Sequence, residues 1–170
     1  MRIAARTALA LFALDQASKA LVVHALDLKT RGEFDVLPPF LVFRMAWNEG
    51  INFGLFASSH DLMRWGLVAL AAVISLWVWL WVRRDHDGLP IQLSAGLLIG
   101  GAAGNALDRI LYGAVADFLN TSLPGWENPY SFNVADISIF VGALGLVLLT
   151  GRAAETHAGP RKGPRRDKTP

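Results

Sequence analysis

The fold is decided by eighteen consecutive residues without a charge, Trp65 to Val82, which read WGLVALAAVISLWVWLWV. A second uncharged stretch, Leu89 to Leu107, is nineteen residues long. An α-helix rises ~1.5 Å per residue, so about 20 apolar residues cross a hydrocarbon layer ~30 Å thick. Both stretches therefore predict transmembrane helices, and they exclude a soluble globular domain.

The composition of the 170-residue chain supports this interpretation. Hydrophobic residues make up 53% and charged residues 18%, whereas soluble domains contain roughly 45–50% and about 25%. There is no Cys, which excludes a disulfide scaffold, a cysteine nucleophile and a cysteine-ligated metal site. The four histidines are too scattered along the sequence to predict a metal site. We expect no metal and no cofactor.

Two further apolar segments are interrupted by charges. The first, residues 7–26, carries Asp15 and Lys19, and the last, residues 132–151, carries only Asp136. Asp15 and Lys19 are four residues apart with the acid first, which favours an ion pair on one helix face. A cleavable signal peptide is the alternative for the first segment, but Asp15 would lie unusually close to its cleavage point.

The predicted fold class is an all-α integral membrane protein with four transmembrane helices. The four spans are expected near 3–25, 63–82, 90–111 and 133–151, within one membrane domain of residues 1–151. Residues 152–170 are rich in Gly, Pro, Lys and Arg and predict a disordered basic tail. Its charges could attract anionic lipids, and no nucleic-acid-binding module is present.

The distribution of basic residues predicts the orientation. Ten of the sixteen Lys and Arg residues lie at the two termini and in the loop between spans two and three, so the positive-inside rule makes both termini cytoplasmic. The outer connection, residues 27–61, has apolar runs on either side of Pro38-Pro39, which predict a β-hairpin. The apolar segment from Asn52 to Met63 predicts an amphipathic helix along the membrane surface.

Several polar residues are expected at one depth in the membrane. Asp108 lies nineteen residues after Leu89, or ~28 Å along a helix, which places Asp108 and Arg109 at the outer hydrocarbon boundary. Asn105 shares their helix face. Asp117 follows the end of this span, and Asp136 lies roughly 6 Å below the same boundary on the returning span.

Asp117 and Asp136 are the candidate catalytic residues. Two carboxylates in a half-desolvated site cannot both ionise at low cost, so they share a proton. One can then act as a general base on water while the other donates a hydrogen bond to a carbonyl oxygen, which is the chemistry of aspartic peptidases. The same acids could instead serve a proton- or ion-coupled transporter, or a scaffold without catalysis.

Five motifs occur in an order and topology that narrow these alternatives. They are Asp15–Lys19 (DQASK), Asn48–Gly54 (NEGINFG), Gly100–Arg109 (GGAAGNALDR), Val115–Phe118 (VADF) and Phe132–Asp136 (FNVAD). Over about residues 8–150 the chain resembles the lipoprotein signal peptidase (signal peptidase II) family. The resemblance implies an aspartyl endopeptidase of the bacterial plasma membrane, whose substrates are lipid-modified prolipoproteins. We expect the protein to be a monomer.

The resemblance also implies roles for individual residues. Asp117 and Asp136 match the family's catalytic residues, and Asn105 and Arg109 match residues that contact the substrate backbone. Other matches line or brace the site: Asn48, Gly50, Asp108 and Asn133. Asp15 and Lys19 match a supporting pair. Asn52 departs from the family pattern, which usually has Ala at that position, and adds a polar group to the outer segment that is expected to pack over the substrate.

Overall fold

The computed structural model describes residues 1–50, 60–85 and 88–157, and within them it has four long helices and a small sheet. The helices are α1 (Arg2–Lys19, continued by a π-helical segment, Ala20–Ala25), α2 (Leu28–Arg31), α3 (His60–Asp85), α4 (Leu89–Tyr112) and α5 (Val134–His157). The strands are β1 (Glu33–Leu37), β2 (Leu41–Asn48) and β3 (Val115–Asn120).

Helix α4 is the central helix, because α1, α3 and α5 all pack against it. Its small residues allow this close approach. A Cβ atom on Gly100 would lie 2.5 Å from the backbone oxygen of Ala8 in α1, and one on Gly101 would lie 2.5 Å from that of Ala135 in α5. The glycine-rich stretch therefore brings three helix backbones together just below the polar residues of α4.

Two helical stretches of the described residues are long and apolar enough to cross a membrane, Arg2–Ala25 and Asp61–Arg84. Val134–Thr150 is a shorter apolar helical stretch. That the chain crosses the membrane four times stays a prediction, although a long helix lies at each predicted span. Helix α5 continues to His157, six residues beyond the predicted end of the fourth span and into the segment predicted to be a disordered tail. Residues 158–170 lie outside the described residues.

The predicted β-hairpin is present as strands β1 and β2, which pair antiparallel. The prediction of an all-α fold with a hairpin between the first two helices was nevertheless incomplete. Strand β3 comes from the connection between α4 and α5 and pairs antiparallel with β2, placing Asp117 opposite Ala46. The predicted surface helix falls largely on residues 51–59, outside the described part of the chain, and His60–Met63 begin α3.

An apolar cluster joins the sheet to the end of α1. Val22 and Val23 of the π-helical segment and Leu28 of α2 pack against Ala116 and Phe118 of β3. Side chains alternate along a strand, so the residue between Ala116 and Phe118 faces away from this cluster. That residue is Asp117, which is thereby turned toward α4 and α5.

Candidate active site

Asp117 of β3 is held by two asparagine side chains. Its carboxylate is almost fully buried, with 3% of the residue exposed. Oδ1 accepts a hydrogen bond of 2.6 Å from Asn133 Nδ2, and Oδ2 accepts one of 3.1 Å from Asn48 Nδ2. Asn48 is the last residue of β2, so the pairing of β2 with β3 places its amide beside the acid.

Asp136 lies in the first turn of α5 and is fixed by the helix cap. Asn133 precedes the helix, and its Oδ1 accepts a hydrogen bond of 2.9 Å from the Asp136 backbone amide. In return the Asn133 backbone amide donates to Asp136 Oδ2 at 3.2 Å. These reciprocal bonds form a capping box. The other carboxylate oxygen, Oδ1, accepts a bond of 2.8 Å from Asn105 Nδ2 of α4.

Asn133 and Asn105 connect the two acids. Asn133 Nδ2, which donates to Asp117, also lies 3.2 Å from Asn105 Oδ1. The segment before α5 is attached to β3 as well, since the Phe132 backbone oxygen accepts bonds from the amides of Phe118 and Leu119. The structure therefore brings together Asp117, Asp136, Asn105 and Asn133, all of which the sequence predicted for the site.

The environment of Asp117 favours its protonated form. Burial, followed by the nearby charge of Asp136, raises the pKa of Asp117 to about 7, although hydrogen bonds from Asn48 and Asn133 and the charge of Lys19 act in the opposite direction. A carboxyl group with such a pKa exchanges its proton at neutral pH. The site can therefore hold one proton and one negative charge on a pair of neighbouring acids.

Arg109 adds a positive charge to this site. Its Nη1 donates a hydrogen bond of 3.3 Å to the backbone oxygen of Asn105, and its charge interacts with those of Asp117 and Asp136. Its Nε is buried and has no hydrogen-bond partner among the described residues. The structure thus places an unused donor close to the two acids.

The predicted ion pair between Asp15 and Lys19 is formed, and Asp108 joins it. Lys19 Nζ lies 2.7 Å from Asp15 Oδ2 and 2.7 Å from Asp108 Oδ2, and all three side chains are buried. Gln16 contacts both acids, with its Nε2 at 3.1 Å from Asp15 Oδ2 and from Asp108 Oδ1. Sequence reasoning gave Gln16 no role, although its spacing of three residues from Lys19 would have placed it on the same helix face.

Gly50 acts on Asn48. Its backbone amide donates a hydrogen bond of 3.0 Å to Asn48 Oδ1, which orients the amide so that Nδ2 faces Asp117. Gly50 has a φ of +102°, a conformation that side chains rarely permit. Asn52, which departs from the family pattern, lies outside the described residues.

Across residues 1–50, 60–85 and 88–157, no cluster of three or more His, Cys, Asp or Glu side chains could hold a metal ion. The polar groups described above are instead those of an acid pair with amide donors.

Two solved structures, both described as bacterial membrane enzymes, share this fold. One, described as a bacterial membrane enzyme structure obtained by the in meso method at 1.9 Å, matches with a TM-score of 0.73 and 25% identity, over 88% of this chain and 93% of that one. A second, described in the same words at 2.3 Å, has a TM-score of 0.72 at 24% identity and covers 96% of both chains. Helices and site together thus define a helical membrane protein with a pair of acids, of which Asp117 is buried and Asp136 is partly buried.

The sequence relatives identify the family. The family model for signal peptidase (SPase) II matches residues 7–151. A lipoprotein signal peptidase of Methylorubrum extorquens is 46% identical over 86% of this chain and 84% of its own length, and one of Methylobacterium sp. (strain 4-46) is 42% identical over 85% and 86%. The chain belongs to the signal peptidase II family and is a membrane protease that processes lipoproteins.

Proposed function

We propose that this protein is an intramembrane aspartyl endopeptidase with Asp117 and Asp136 as its catalytic pair. Its substrates are bacterial prolipoproteins that carry a diacylglyceryl group on a cysteine, and it cleaves the signal peptide just before that cysteine. The family supports the substrate class, because the relatives named above are lipoprotein signal peptidases. The observation that carries the aspartyl mechanism is that Asn133 binds the carboxylates of both acids.

The reaction needs a base and an acid at the scissile peptide bond. One carboxylate of the pair takes a proton from a water molecule, which attacks the carbonyl carbon, while the protonated partner donates to the developing oxyanion. The C–N bond then breaks as the acid that took the water proton gives it to the leaving nitrogen, while its partner recovers a proton from the hydroxyl group that becomes the new carboxyl group. Because the two groups share one proton, the pair and not either residue alone has the macroscopic pKa values that govern the rate.

Neighbouring polar groups are placed to hold the substrate backbone. Arg109 has a buried Nε without a protein acceptor in the described part of the chain, and a substrate carbonyl would supply one. Asn105 lies one helical turn below Arg109 and bonds to Asp136, so it would position the peptide against that acid. Asn48 and Asn133 would fix the orientation of Asp117.

The site would lie near the outer face of the bacterial inner membrane. Helices α4 and α5 meet the acids at their C-terminal and N-terminal ends respectively, and basic residues are concentrated at the opposite ends of the helices. By the positive-inside rule, both chain termini are then cytoplasmic and four spans form one domain of residues 1–151. A signal peptide is itself a membrane helix whose cleavage point lies at the outer boundary, so a single copy of this chain can reach it there.

The decisive experiment replaces each acid singly by Asn in purified, detergent-solubilised protein. Asp117→Asn and Asp136→Asn should each lower the rate of prolipoprotein cleavage by at least 1000-fold while the protein still binds the uncleaved substrate. Asp35→Asn, at an exposed position in β1, is the matched control and should retain the native rate. Normal processing by both Asn variants would overturn the aspartyl mechanism, and an activity that requires a sealed vesicle with an ion gradient would favour a transporter.

A further inference from the structure

The residues that precede the two acids of the proposed catalytic pair share one feature, a backbone amide that donates to a buried aspartate. The residue before Asp117 is Ala116, whose backbone amide donates a hydrogen bond of 3.2 Å to Asp108 Oδ2. The residue before Asp136 is Ala135, whose backbone amide donates one of 3.0 Å to Asp15 Oδ1. Each acid therefore follows a peptide group that is held by another buried aspartate.

Lys19 joins the two holding aspartates. Its ammonium group lies 2.7 Å from Asp15 and 2.7 Å from Asp108, and only 5% of Lys19 is exposed. The amide of Gln16 spans the same two carboxylates at 3.1 Å each. An unbroken chain of contacts thus runs from the strand that carries Asp117, through Asp108, Lys19 and Asp15, to the helix that carries Asp136.

We propose that Lys19 is a positioning residue that sets the separation of the catalytic acids, by tying together the two aspartates that hold the peptide groups preceding them. The inference rests on the proposed function, because it concerns the geometry of that acid pair. In the described part of the chain, the hydrogen bonds of Lys19 go to Asp15 and Asn105 and its ion pairs go to Asp15 and Asp108. Lys19 therefore positions Asp117 and Asp136 through these partners.

The chemistry of the bridge explains why a lysine is used. Two carboxylates that approach the same point repel each other unless a cation lies between them. A buried ion pair contributes little net stability, since removing the charges from water offsets much of their attraction. It does, however, fix geometry, because breaking it leaves an unpaired buried charge. The bridge therefore holds β3 and the start of α5 at one distance, although the two segments belong to different elements.

Lys19 also acts on Asp117 through its charge. Asp117 is surrounded by Asp136 and Asn133 from the α5 region, Asn48 from β2, Arg109 from α4 and Lys19 from α1. Removing one of the two cations stabilises the protonated form of Asp117. A variant without the lysine should therefore lose its shared proton at a higher pH than the native enzyme does.

The test compares Lys19→Met and Lys19→Arg in the full-length, detergent-solubilised enzyme. Lys19→Met should lower kcat per folded molecule at least 30-fold, leave KM for the prolipoprotein within about twofold, and move the alkaline midpoint of the pH–kcat profile upward by at least 0.5 pH unit. Lys19→Arg keeps a cation that can bind two carboxylates and should recover most of kcat. Arg44→Met removes the exposed ion pair with Glu33 and is the matched control, with native kcat.

A charge-balanced double variant keeps the test decisive if Lys19→Met does not fold. Asp15→Asn combined with Lys19→Met leaves the net charge of the cluster unchanged, and Asn at position 15 retains an oxygen that can accept the Ala135 amide. This variant should fold and still lose at least 10-fold in kcat, because no group bridges to Asp108.

Two results would overturn the inference. One is native kcat in the folded double variant, and the other is a Lys19→Met enzyme that loses only folded protein while kcat per folded molecule and the pH midpoint stay native. Asp117→Asn is assayed in parallel. An active Asp117→Asn enzyme contradicts the proposed function itself, whereas an inactive one together with native kcat in the lysine variants contradicts only the role of Lys19.

Discussion

Asn133 and Asp136 exchange two hydrogen bonds, 2.9 Å from the Asp136 amide to Asn133 Oδ1 and 3.2 Å from the Asn133 amide to Asp136 Oδ2. Asn133 uses its remaining side-chain atom, Nδ2, to bind Asp117 at 2.6 Å. Asn133 therefore caps helix α5, fixes Asp136 and binds Asp117. A helix cap that also orients a proposed catalytic group has two separable roles, and substitutions can distinguish them.

Asn133→Ser should separate the cap from the contact with Asp117. Serine retains an oxygen that accepts the Asp136 amide, so the free energy of unfolding should change by less than about 1 kcal/mol. The Nδ2 donor to Asp117 and Asn105 is lost, and kcat for prolipoprotein cleavage should fall at least 30-fold. Thermal unfolding followed by tryptophan fluorescence and a cleavage assay measure the two effects.

Asn133→Ala provides the comparison, because it removes both the cap and the donor. It should destabilise the protein by about 1–2 kcal/mol and lose as much activity as Asn133→Ser. If the Ser variant cleaves at the native rate, the amide of Asn133 does not position Asp117.

The pH dependence of stability should report the protonation of Asp117. Its pKa is about 7 in the folded protein, compared with about 3.9 for an aspartate in an unfolded chain. Between these values the folded state binds more protons than the unfolded state, so the free energy of unfolding falls as the pH rises from about 4 to about 7. The loss should amount to about 2–4 kcal/mol.

Asp117→Asn should remove most of this slope, because the amide does not titrate. Asp35→Asn removes an exposed aspartate of β1 and should keep the native slope. Chemical unfolding of each protein at a series of pH values measures how the free energy of unfolding depends on pH. An equal slope in the native and Asp117→Asn proteins would show that other groups cause the pH dependence.

Much of the fold follows from the sequence, because long uncharged stretches and two apolar runs separated by Pro38-Pro39 can be recognised from neighbouring residues alone. They predicted the long helices and the hairpin of β1 and β2. Strand β3 was missed for a physical reason. Its sequence VADFLN is short and is buried along almost its whole length, so no alternation of polar and apolar residues marks it, and it pairs with a strand about seventy residues earlier in the chain.

The polar residues that meet at the candidate site were predictable from the sequence, whereas their common depth in a membrane stays a prediction. Asp117 and Asp136 could be placed at one level, and the i, i+3, i+4 spacing predicted the shared face of Asn105, Asp108 and Arg109. The backbone contacts could not be predicted. Amide groups of Ala116 and Ala135 have no signature in a sequence, so the bonds that Asp108 and Asp15 make to them emerge only from the folded chain.

Gly104 lies where helix α4 packs against Asp15, the buried acid of α1. A Cβ atom there would lie 2.5 Å from Asp15 Oδ2 and 3.2 Å from its Cγ. Gly104→Ala should therefore displace Asp15, destabilise the protein by about 1–3 kcal/mol and lower cleavage activity at least 10-fold. Thermal unfolding and the cleavage assay check both effects.

Gly66→Ala is the matched control in another long helix. Gly66 belongs to α3, and a Cβ atom there would meet nothing within 4 Å. The free energy of unfolding of the Gly66→Ala protein should change by about 1 kcal/mol or less, and its cleavage activity should stay native. An equal loss in the two variants would mean that the glycine spacing of α4 is not what places Asp15.

Asn48 should influence the pH at which the enzyme works. Its Nδ2 donates 3.1 Å to Asp117 Oδ2, and this bond lowers the pKa of Asp117 relative to the value that burial alone would give. Asn48→Ala removes a donor to the charged form. The pKa of Asp117 should then rise above about 7, and the alkaline midpoint of the kcat/KM profile should move upward by about half a unit.

Asn128→Ala controls for the loss of the local turn. Asn128 Oδ1 accepts the Tyr130 backbone amide at 3.0 Å, as Asn48 Oδ1 accepts that of Gly50, but no contact of its side chain with a carboxylate is found among the described residues. Asn128→Ala should leave the pH midpoint unchanged. Two results would contradict this role: an equal shift of the pH midpoint in both variants, or a downward shift in Asn48→Ala. In either case the amide of Asn48 does not stabilise the charged form of Asp117, and Asn48 serves only the turn after β2.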